Sequence, residues 1–498
     1  MVRPFPRYAR PRARQRVRGA RDGRRPLRHV ARRDRRLPAC TGRERQRGDG
    51  GSGIHARRHG HCDRHRSARA ARASREGRAL ARRRNPARRP LACRLAEHVF
   101  TRRQRRRAFP LRFRIMSVNA RLPLDGVRVV EFTHMIMGPT CGMILADLGA
   151  EVIKVEPPGG DKTRTLPGLG IGFFRSFNRN KKSVVIDITT SQGRETAAEL
   201  IGTCDVMVEN FRPGLMKSLG LDHETLSERY PRLISVSHKG FLPGPYEKRL
   251  ALDEVVQMMG GLSYMTGPVG RPLRAGTSVN DIMGGMFGAI GVLAALRERE
   301  VTGRGQEVQS ALFENCVFLS AQHMQQYAMT GEPPPPMPAR VSAWSVYDVF
   351  TLADGEQLFI GAVSDKQFVT LCDVLGRPDL AADPRFANNA MRVVVRPELL
   401  ACVGAVLKDR RADELAPKLE AAGIPYAPIV RPEQLLDDPH LKASGGLAPM
   451  QADDGSMTDV VLLPITIGGR RPGVRHALAR IGEHTQEVLS RLRGKVVA

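Results

Sequence analysis

The residues best suited to chemistry lie in the run GTSVNDIMGGM, at positions 276 to 286. Asp281 precedes an apolar stretch of helical length, and an acidic residue there is most simply an N-cap or a first-turn charge. Gly284 and Gly285 weaken that interpretation, because each costs a helix about 1 kcal/mol relative to alanine. A carboxylate beside bare backbone N–H groups meets the needs of a nucleophile with an oxyanion site. We therefore predict catalytic roles for Asp281, Gly284 and Gly285.

The segments before Asp281 predict the frame that must position it. Short apolar runs alternate with helical stretches, which predicts strands at 127–132, 151–155, 184–188, 205–208 and 233–236 and helices at 142–148 and 192–201. Strands and helices alternating at this spacing indicate a parallel sheet covered by helices. We predict a Rossmann-like α/β large domain.

Three turns after predicted strands are rich in polar residues or glycine: 134–139, 157–164 and 209–214. In parallel α/β sheets, ligands bind at the carboxyl ends of strands, beside the N-termini of helices. We expect a phosphate-bearing ligand at these turns.

The run GEPPPP at 331–336 is a semi-rigid polyproline spacer that fits a domain boundary. Beyond it, predicted strands at 347–351 and 357–362 flank an Asp-Gly turn as a hairpin, and helices are predicted at 366–375 and 396–407. We divide the chain into an Arg-rich extension (1–115), the first part of the large domain (116–332), a linker with a smaller α+β domain (333–430) and a C-terminal return to the large domain (431–498).

The net charge of +30 belongs to the extension. Residues 1–115 contain 39 Arg, no Lys and 7 Asp plus Glu, whereas residues 116–498 contain 41 Lys plus Arg and 43 Asp plus Glu. A basic arm can bind nucleic acid by neutralising phosphates, but this one lacks interleaved aromatic residues, repeats and recognisable modules. We interpret the extension as disordered or as the product of a misassigned start, with Met116 as the better initiator. Nucleic-acid binding is the disfavoured alternative.

Composition disfavours several other classes. The extension has neither the apolar region of a secretory signal nor the serine-rich amphipathic pattern of a transit peptide. The apolar stretch 282–296 is broken by glycines and is short for a membrane span. The eight cysteines form no CxxC pair, which argues against a metal site. We expect a cytoplasmic globular protein without a metal or a membrane partner.

Eight blocks carry a resemblance to a known family, and they lie at 123–133, 138–139, 145–156, 160–161, 208–214, 280–281, 302–306 and 482–485. They include LADLGAEVIKVE, VENFRPG, the pair Asn280-Asp281, TGRGQ and GEHT. In this order and spacing, from Leu122 to Leu492, they resemble the class III CoA-transferases, the group of formyl-CoA transferase and of the carnitine and bile-acid CoA-transferases.

The resemblance implies a reaction and a site. Asp281 matches the aspartate that forms an acyl anhydride and then an aspartyl-CoA thioester. Coenzyme A contacts are implied at the turn Met135-Ile136-Met137 and at the pair Asn210-Phe211. By charge, the candidate phosphate partners are Arg164, Lys239 and Arg249. The partners would be an acyl-CoA and a carboxylic acid, with coenzyme A as substrate, no prosthetic group, and a homodimer of interlocked rings.

The sequence departs from particular members of the family. Acyl-CoA racemases look alike along the chain but have a proton-transferring histidine where this chain has Leu252, so racemisation is the disfavoured alternative. Formyl-CoA transferase has glutamine at the position of Ile136, arginine at that of Pro157, and a glycine run that 339–354 lacks. The acceptor therefore stays open among dicarboxylates and branched or aromatic acids.

Overall fold

The computed structural model of the protein describes residues 121–340 and 342–495. The extension 1–115 and its predicted state lie outside these residues. The centre of the fold is a six-stranded parallel sheet with the order β3-β2-β1-β4-β5-β6. The strands are β1 (Arg128–Phe132), β2 (Glu151–Glu156), β3 (Lys181–Val185), β4 (Val206–Glu209), β5 (Ile234–Lys239) and β6 (Glu307–Ala311). The predicted parallel α/β sheet is confirmed.

Helices cover both faces of this sheet. They are α1 (Met137–Asp147), α2 (Phe173–Phe177), α3 (Ser191–Gly202), α4 (Leu215–Ser218), α5 (His223–Arg229), α6 (Asp253–Met259), α7 (Leu262–Thr266), α8 (Val279–Thr302) and α9 (Leu312–Thr330). Because successive strand residues face opposite sides, Val129 packs in one core with residues of α1 and α8, and Val130 packs in another with residues of α3 and α5. Burial on both faces explains the consecutive apolar residues in the central strands β1 (RVVEF) and β4 (VMVE).

Strand β3 begins at Lys181, three residues before its predicted start at 184, and ends at Val185. The Lys181 side chain is buried, and its ammonium group donates to Glu131 (2.8 Å), to the Pro139 carbonyl (2.9 Å) and to Asn178 (3.0 Å). Lysine is usually exposed, so a buried and hydrogen-bonded lysine within a strand is not predicted from its residue type.

A three-stranded antiparallel sheet lies within 333–430 and has its own hydrophobic core. Its strands are β7 (Val346–Thr351), β8 (Gln357–Ala362) and β9 (Tyr426–Pro428), and the first two form the expected hairpin. The helices here are α10 (Asp365–Leu375), α11 (Pro378–Ala382), α12 (Asn389–Val394), α13 (Arg396–Leu407) and α14 (Ala412–Ala421). The last strand, β9, has no counterpart among the predicted elements.

The C-terminal segment comprises β10 (Leu447–Gln451), β11 (Met457–Val461), α15 (Pro439–Ala443) and α16 (Thr485–Lys495). Helix α16 packs Val488 and Leu492 into the core of the large sheet. At its start, His484 Nδ1 accepts the Ser183 N–H (3.3 Å) and Thr485 Oγ1 accepts the Val185 N–H (3.0 Å). These contacts cover the edge strand β3, whose backbone donors would otherwise be free to pair with another chain.

Helix α8 corrects one expectation from the sequence. It is continuous over 24 residues, so by length and apolar composition it could cross a membrane. Its glycines instead allow close packing inside the protein: a Cβ on Gly288 would meet His238, and one on Gly291 would meet Val308. The opposite side keeps an exposed apolar stripe of Met286, Ile290 and Leu293.

Candidate active site

Asp281 is the third residue of α8 and lies within its first turn. Because α8 leads into β6, its N-terminus lies toward the carboxyl edge of the parallel sheet, where ligands bind in this class of fold. Ser278 is the N-cap residue of α8, yet its side chain makes no capping hydrogen bond. The free N–H groups at the start of α8 must therefore be capped by a residue outside this helix.

The cap comes from Asp253, the first residue of α6. Its Oδ2 accepts the N–H groups of Asn280 (2.7 Å) and Asp281 (3.2 Å), which are among the N-terminal donors that a helix cannot satisfy internally. Asp253 is buried, and Gln257 donates to its other oxygen. Gln257 in turn accepts the Ala275 N–H (2.7 Å), so α6 fixes the loop that enters α8 as well.

The Asp281 carboxylate is left without a hydrogen-bond partner among the described residues, because the capping role is filled by Asp253. Burial and the nearby charge of Asp253 raise the pKa of Asp281 to about 7, partly opposed by Arg274. Arg274 is itself paired with Glu254. Raised carboxylate pKa values of this kind are typical of functional sites.

Gly284 and Gly285 are buried in the second turn of α8, and the predicted oxyanion role must be corrected. Inside an α-helix their N–H groups donate to carbonyls four residues earlier. Their lack of side chains instead permits contact with α1: a Cβ on Gly285 would lie 2.6 Å from Cβ of Thr140 and 2.7 Å from the Met137 carbonyl oxygen. The glycines bring the start of α1 against the start of α8.

The turn after β1 is held in an unusual conformation beside that contact. Met135 has a φ of 62°, a left-handed conformation that is rare for a residue with a long side chain. Its N–H donates to Thr163 Oγ1 (3.1 Å). Non-glycine residues in this region are strained and cluster at ligand sites.

Asn210 joins this turn to the end of β4. Its Oδ1 accepts the His134 N–H (3.0 Å) and its Nδ2 donates to the His134 carbonyl (2.8 Å), while the His134 and Phe211 rings stack at 5.7 Å. The structure thus brings together two of the predicted groups, 135–137 and 210–211. Because Met137 also packs on Gly284, the turn adjoins the helix start that carries Asp281.

A cavity of about 710 Å³ opens at the ends of β4 and β5. Lys239 lines it and pairs with Glu209 at 3.2 Å, with about a quarter of its side chain exposed. Three further cations that were not predicted from the sequence also line the cavity: Arg212, Lys217 and Lys248. The lining contains carboxylates as well: Glu209, Asp222, Glu224, Glu247 and Glu307. Arg212 lies within the family block VENFRPG, so the resemblance could have identified it as a candidate.

The other two predicted phosphate partners lie differently. Arg164 is buried against Glu156 (2.7 Å) and Asp453 (2.9 Å), so the prediction for it is wrong: its guanidinium neutralises carboxylates of the protein. Arg249 is exposed, with its guanidinium over the Tyr246 ring at 5.0 Å, and does not line the cavity. Within 121–340 and 342–495, no group of three or more His, Cys, Asp or Glu side chains is placed to hold a metal ion.

The parallel sheet and the helix-borne aspartate with a raised pKa define the candidate site of an α/β enzyme, and comparison with known proteins identifies its family. The model of CoA-transferase family III matches residues 124–485. The chain belongs to this family, as the sequence blocks predicted.

Named relatives are similar over most of their length. A succinate–glutarate CoA-transferase of Agrobacterium fabrum is 33% identical over 387 residues, covering 75% of this chain and 96% of the relative. A succinyl-CoA–D-citramalate CoA-transferase of Chloroflexus aurantiacus is 33% identical over 385 residues, covering 75% and 94%. The crystal structure of a CAIB/BAIF family protein from Brucella suis is 34% identical with a TM-score of 0.69, covering 75% of this chain and all of that one. The chain is thus a CoA-transferase.

Proposed function

We propose that the protein transfers coenzyme A from an acyl-CoA to a carboxylic acid through covalent intermediates on Asp281. The observation that carries the proposal is the freedom of its carboxylate: Asp253 satisfies the helix N-terminus, and no described group donates to Asp281. A nucleophilic carboxylate must be available to a substrate carbonyl and not engaged as a cap.

The proposed reaction proceeds in four balanced steps. The Asp281 carboxylate attacks the thioester carbonyl, forming a mixed anhydride and releasing the CoA thiolate. The thiolate attacks the aspartyl carbonyl, forming an aspartyl-CoA thioester and releasing the donor carboxylate. The acceptor carboxylate then attacks that thioester, forming a second anhydride and again freeing the thiolate. Attack on the acceptor carbonyl gives the new acyl-CoA and restores Asp281.

Oxyanions formed in these steps need fixed donors in a site with little water. The glycines of α8 are not available, but the first turn of α1 is adjacent to them. Within the described part of the chain, the N–H groups of Met137 and Gly138 donate to no acceptor, and Ile136 provides no side-chain cap. We assign the oxyanion site to this turn, and the CoA phosphates to the cavity cations Lys239, Arg212, Lys217 and Lys248.

We propose short dicarboxylic acids as substrates, with succinyl-CoA as donor. Support comes from the relatives, which are named for succinyl-CoA, glutarate and D-citramalate. Formyl and oxalyl transfer are not favoured, because Ile136 and Pro157 replace the glutamine and arginine of formyl-CoA transferase. Racemisation is not favoured either, because Leu252 is an exposed aliphatic residue at the N-cap of α6 and cannot move a proton.

We also propose a homodimer in the cytoplasm. Met286, Ile290 and Leu293 on α8, and Phe318 and Met324 on α9, expose large apolar side chains that a second copy would cover. We further propose that the two chains of this dimer form interlocked rings. Light scattering of the wild type and of Ile290→Glu tests it: we expect a dimer that the glutamate weakens, and a monomeric wild type would contradict it.

Isotope exchange tests the activity. Wild-type protein incubated with succinyl-CoA and labelled glutarate is expected to form labelled glutaryl-CoA, and Asp281→Asn is expected to form none while keeping its circular dichroism spectrum. Asp413→Asn is the matched control, since it alters an exposed first-turn aspartate of α14. Exchange by Asp281→Asn at the wild-type rate would refute the role of Asp281. Solvent deuterium entering the acyl α-carbon without an acceptor would indicate racemisation.

A further inference from the structure

We propose that Asp253 is a positioning residue for Asp281: from a separate helix it closes the N-terminus of α8 and holds the backbone of the nucleophile. The inference rests on the proposed function, because it requires Asp281 to act as a nucleophile. It adds a second carboxylate to the site, with a role that is separate from bond formation.

The geometry shows how the positioning would work. One oxygen of Asp253 accepts the N–H groups of both Asn280 and Asp281, so the backbone of the nucleophile itself is held. Gln257, one turn along α6, accepts the Ala275 N–H and donates to the Thr277 carbonyl (3.4 Å). Helix α6 therefore grips the chain on both sides of the N-cap Ser278.

This external cap explains why Asp281 is free. A first-turn aspartate commonly stabilises its own helix through the same N–H groups or the helix dipole. Here those donors are satisfied by a buried carboxylate, and Ser278 contributes no side-chain bond. The Asp281 carboxylate is released from the helix without leaving the helix start uncapped.

The electrostatic consequence follows from the charges that face Asp281. Asp253 on α6 raises the pKa of Asp281, and Arg274 from the preceding loop lowers it while paired with Glu254. Helix α9 packs on α8 and carries Cys316, whose pKa burial raises, and Glu314, which accepts the Leu242 N–H. Removing the Asp253 charge leaves burial as the main cause that raises the pKa of Asp281, so Asp281 would ionise at lower pH and be a weaker base.

Asp253→Asn removes the charge and keeps an oxygen that can accept the two N–H groups, although its NH2 group can no longer accept the hydrogen bond from Gln257. Asp253→Ala removes both contributions. Asp438→Asn is the matched control: Asp438 caps α15 by accepting the Leu441 N–H (2.6 Å), and it has no part in the site. The probe is exchange of labelled succinate into succinyl-CoA by the full chain from pH 5 to 9.

The wild-type rate is expected to rise with pH through a limb near 7, as Asp281 ionises. In Asp253→Asn the limb should move down by about one pH unit, and Asp438→Asn should match the wild type. Asp253→Ala should lose at least about tenfold in rate at every pH. If the rate of Asp253→Asn rises at the same pH as that of the wild type, the inference is overturned and the proposed function stands. Exchange by Asp281→Asn overturns the proposed function instead.

A second measurement does not depend on turnover. The difference in urea midpoint between the wild type and Asp281→Asn should change with pH as Asp281 ionises. The same difference measured in an Asp253→Asn background should reach its half-point at lower pH. Equal half-points in the two backgrounds would overturn the inference even if succinyl-CoA proved not to be a substrate.

Discussion

Two groups of carboxylates near the carboxyl edge of the sheet have opposite surroundings. Around Glu156 each carboxylate has a cation: Arg164 lies 2.7 Å from Glu156, and Lys154 lies 3.0 Å from Asp161. Burial alone would raise the pKa of Glu156, but hydrogen bonds from Arg164 and Ser183 lower it. At Asp281, burial and Asp253 together raise the pKa to about 7.

The difference distinguishes a structural charge from a reactive one. A buried carboxylate that is fully paired is held ionised and immobile, whereas one placed beside another carboxylate is energetically costly and available to a substrate. The two Glu156 oxygens accept from Arg164, Ser183 and the Asp161 N–H, while the Asp281 oxygens accept from no described group. The presence of hydrogen-bonding partners therefore distinguishes the structural carboxylate of Glu156 from the reactive carboxylate of Asp281 better than burial or position in the fold does.

The largest expected effect comes from breaking the paired group. Arg164→Met should lower the free energy of unfolding by about 3 kcal/mol or more, because it leaves Glu156 buried and unpaired. Urea unfolding measures this, and the loss should be greater at pH 8 than at pH 5, where Glu156 can take up a proton. A raised KM for acyl-CoA with unchanged stability would restore the phosphate-binding role that the sequence suggested.

The contact that brings α1 against α8 predicts the next effect. Gly285→Ala should destabilise the protein by about 2 kcal/mol, despite the better helix propensity of alanine, because its Cβ meets Thr140 and the Met137 backbone. Gly284→Ala should cost less, since its nearest obstacle is the flexible end of the Met137 side chain. Equal urea midpoints for the two variants would contradict the packing account.

The cavity predicts an effect on binding alone. Lys239→Met should raise the KM for succinyl-CoA about tenfold, the loss expected for one charge-assisted contact to a phosphate, with little change in kcat. Arg249→Met is the control, because Arg249 is also cationic but lies outside the cavity lining. Equal KM values for the two variants in steady-state kinetics would contradict binding of the CoA phosphates in this cavity.

The smallest expected effect is a pH-dependent gain in stability. The pKa of Asp281 is raised by folding, so its contribution to stability falls as pH rises from about 4 to about 7. Asp281→Asn should therefore be more stable than the wild type above pH 7 and should lose that advantage near pH 4. Because Asp281 is partly exposed and solvent screens its charge, we expect a gain of only about 1 kcal/mol. Urea midpoints across this range test the sign, and a variant less stable at pH 8 would contradict it.

The sequence predicted what depends on local pattern. The apolar runs located five of the six strands of the large sheet but not β6, whose sequence EVQSA has no apolar run. The family blocks located Asp281 together with the turns at 135–137 and 210–211. The misassigned roles depend on contacts between distant residues. Arg164 meets Asp453 across 289 positions, and Gly285 meets Met137 and Thr140 of another helix. Asp253 was not among the predicted site residues, because a cap supplied by another helix leaves no local signature.

Trapping the covalent intermediate tests the role of Asp281 most directly. The wild type is incubated with succinyl-CoA and hydroxylamine without an acceptor, and the peptide that contains Asp281 is examined by mass spectrometry. A hydroxamate on Asp281, absent without succinyl-CoA and absent from Asp281→Asn, is the predicted result. The contradicting result combines two observations. The same protein transfers CoA to labelled glutarate at the normal rate, yet the trapping experiment leaves Asp281 unmodified or modifies another residue in its place.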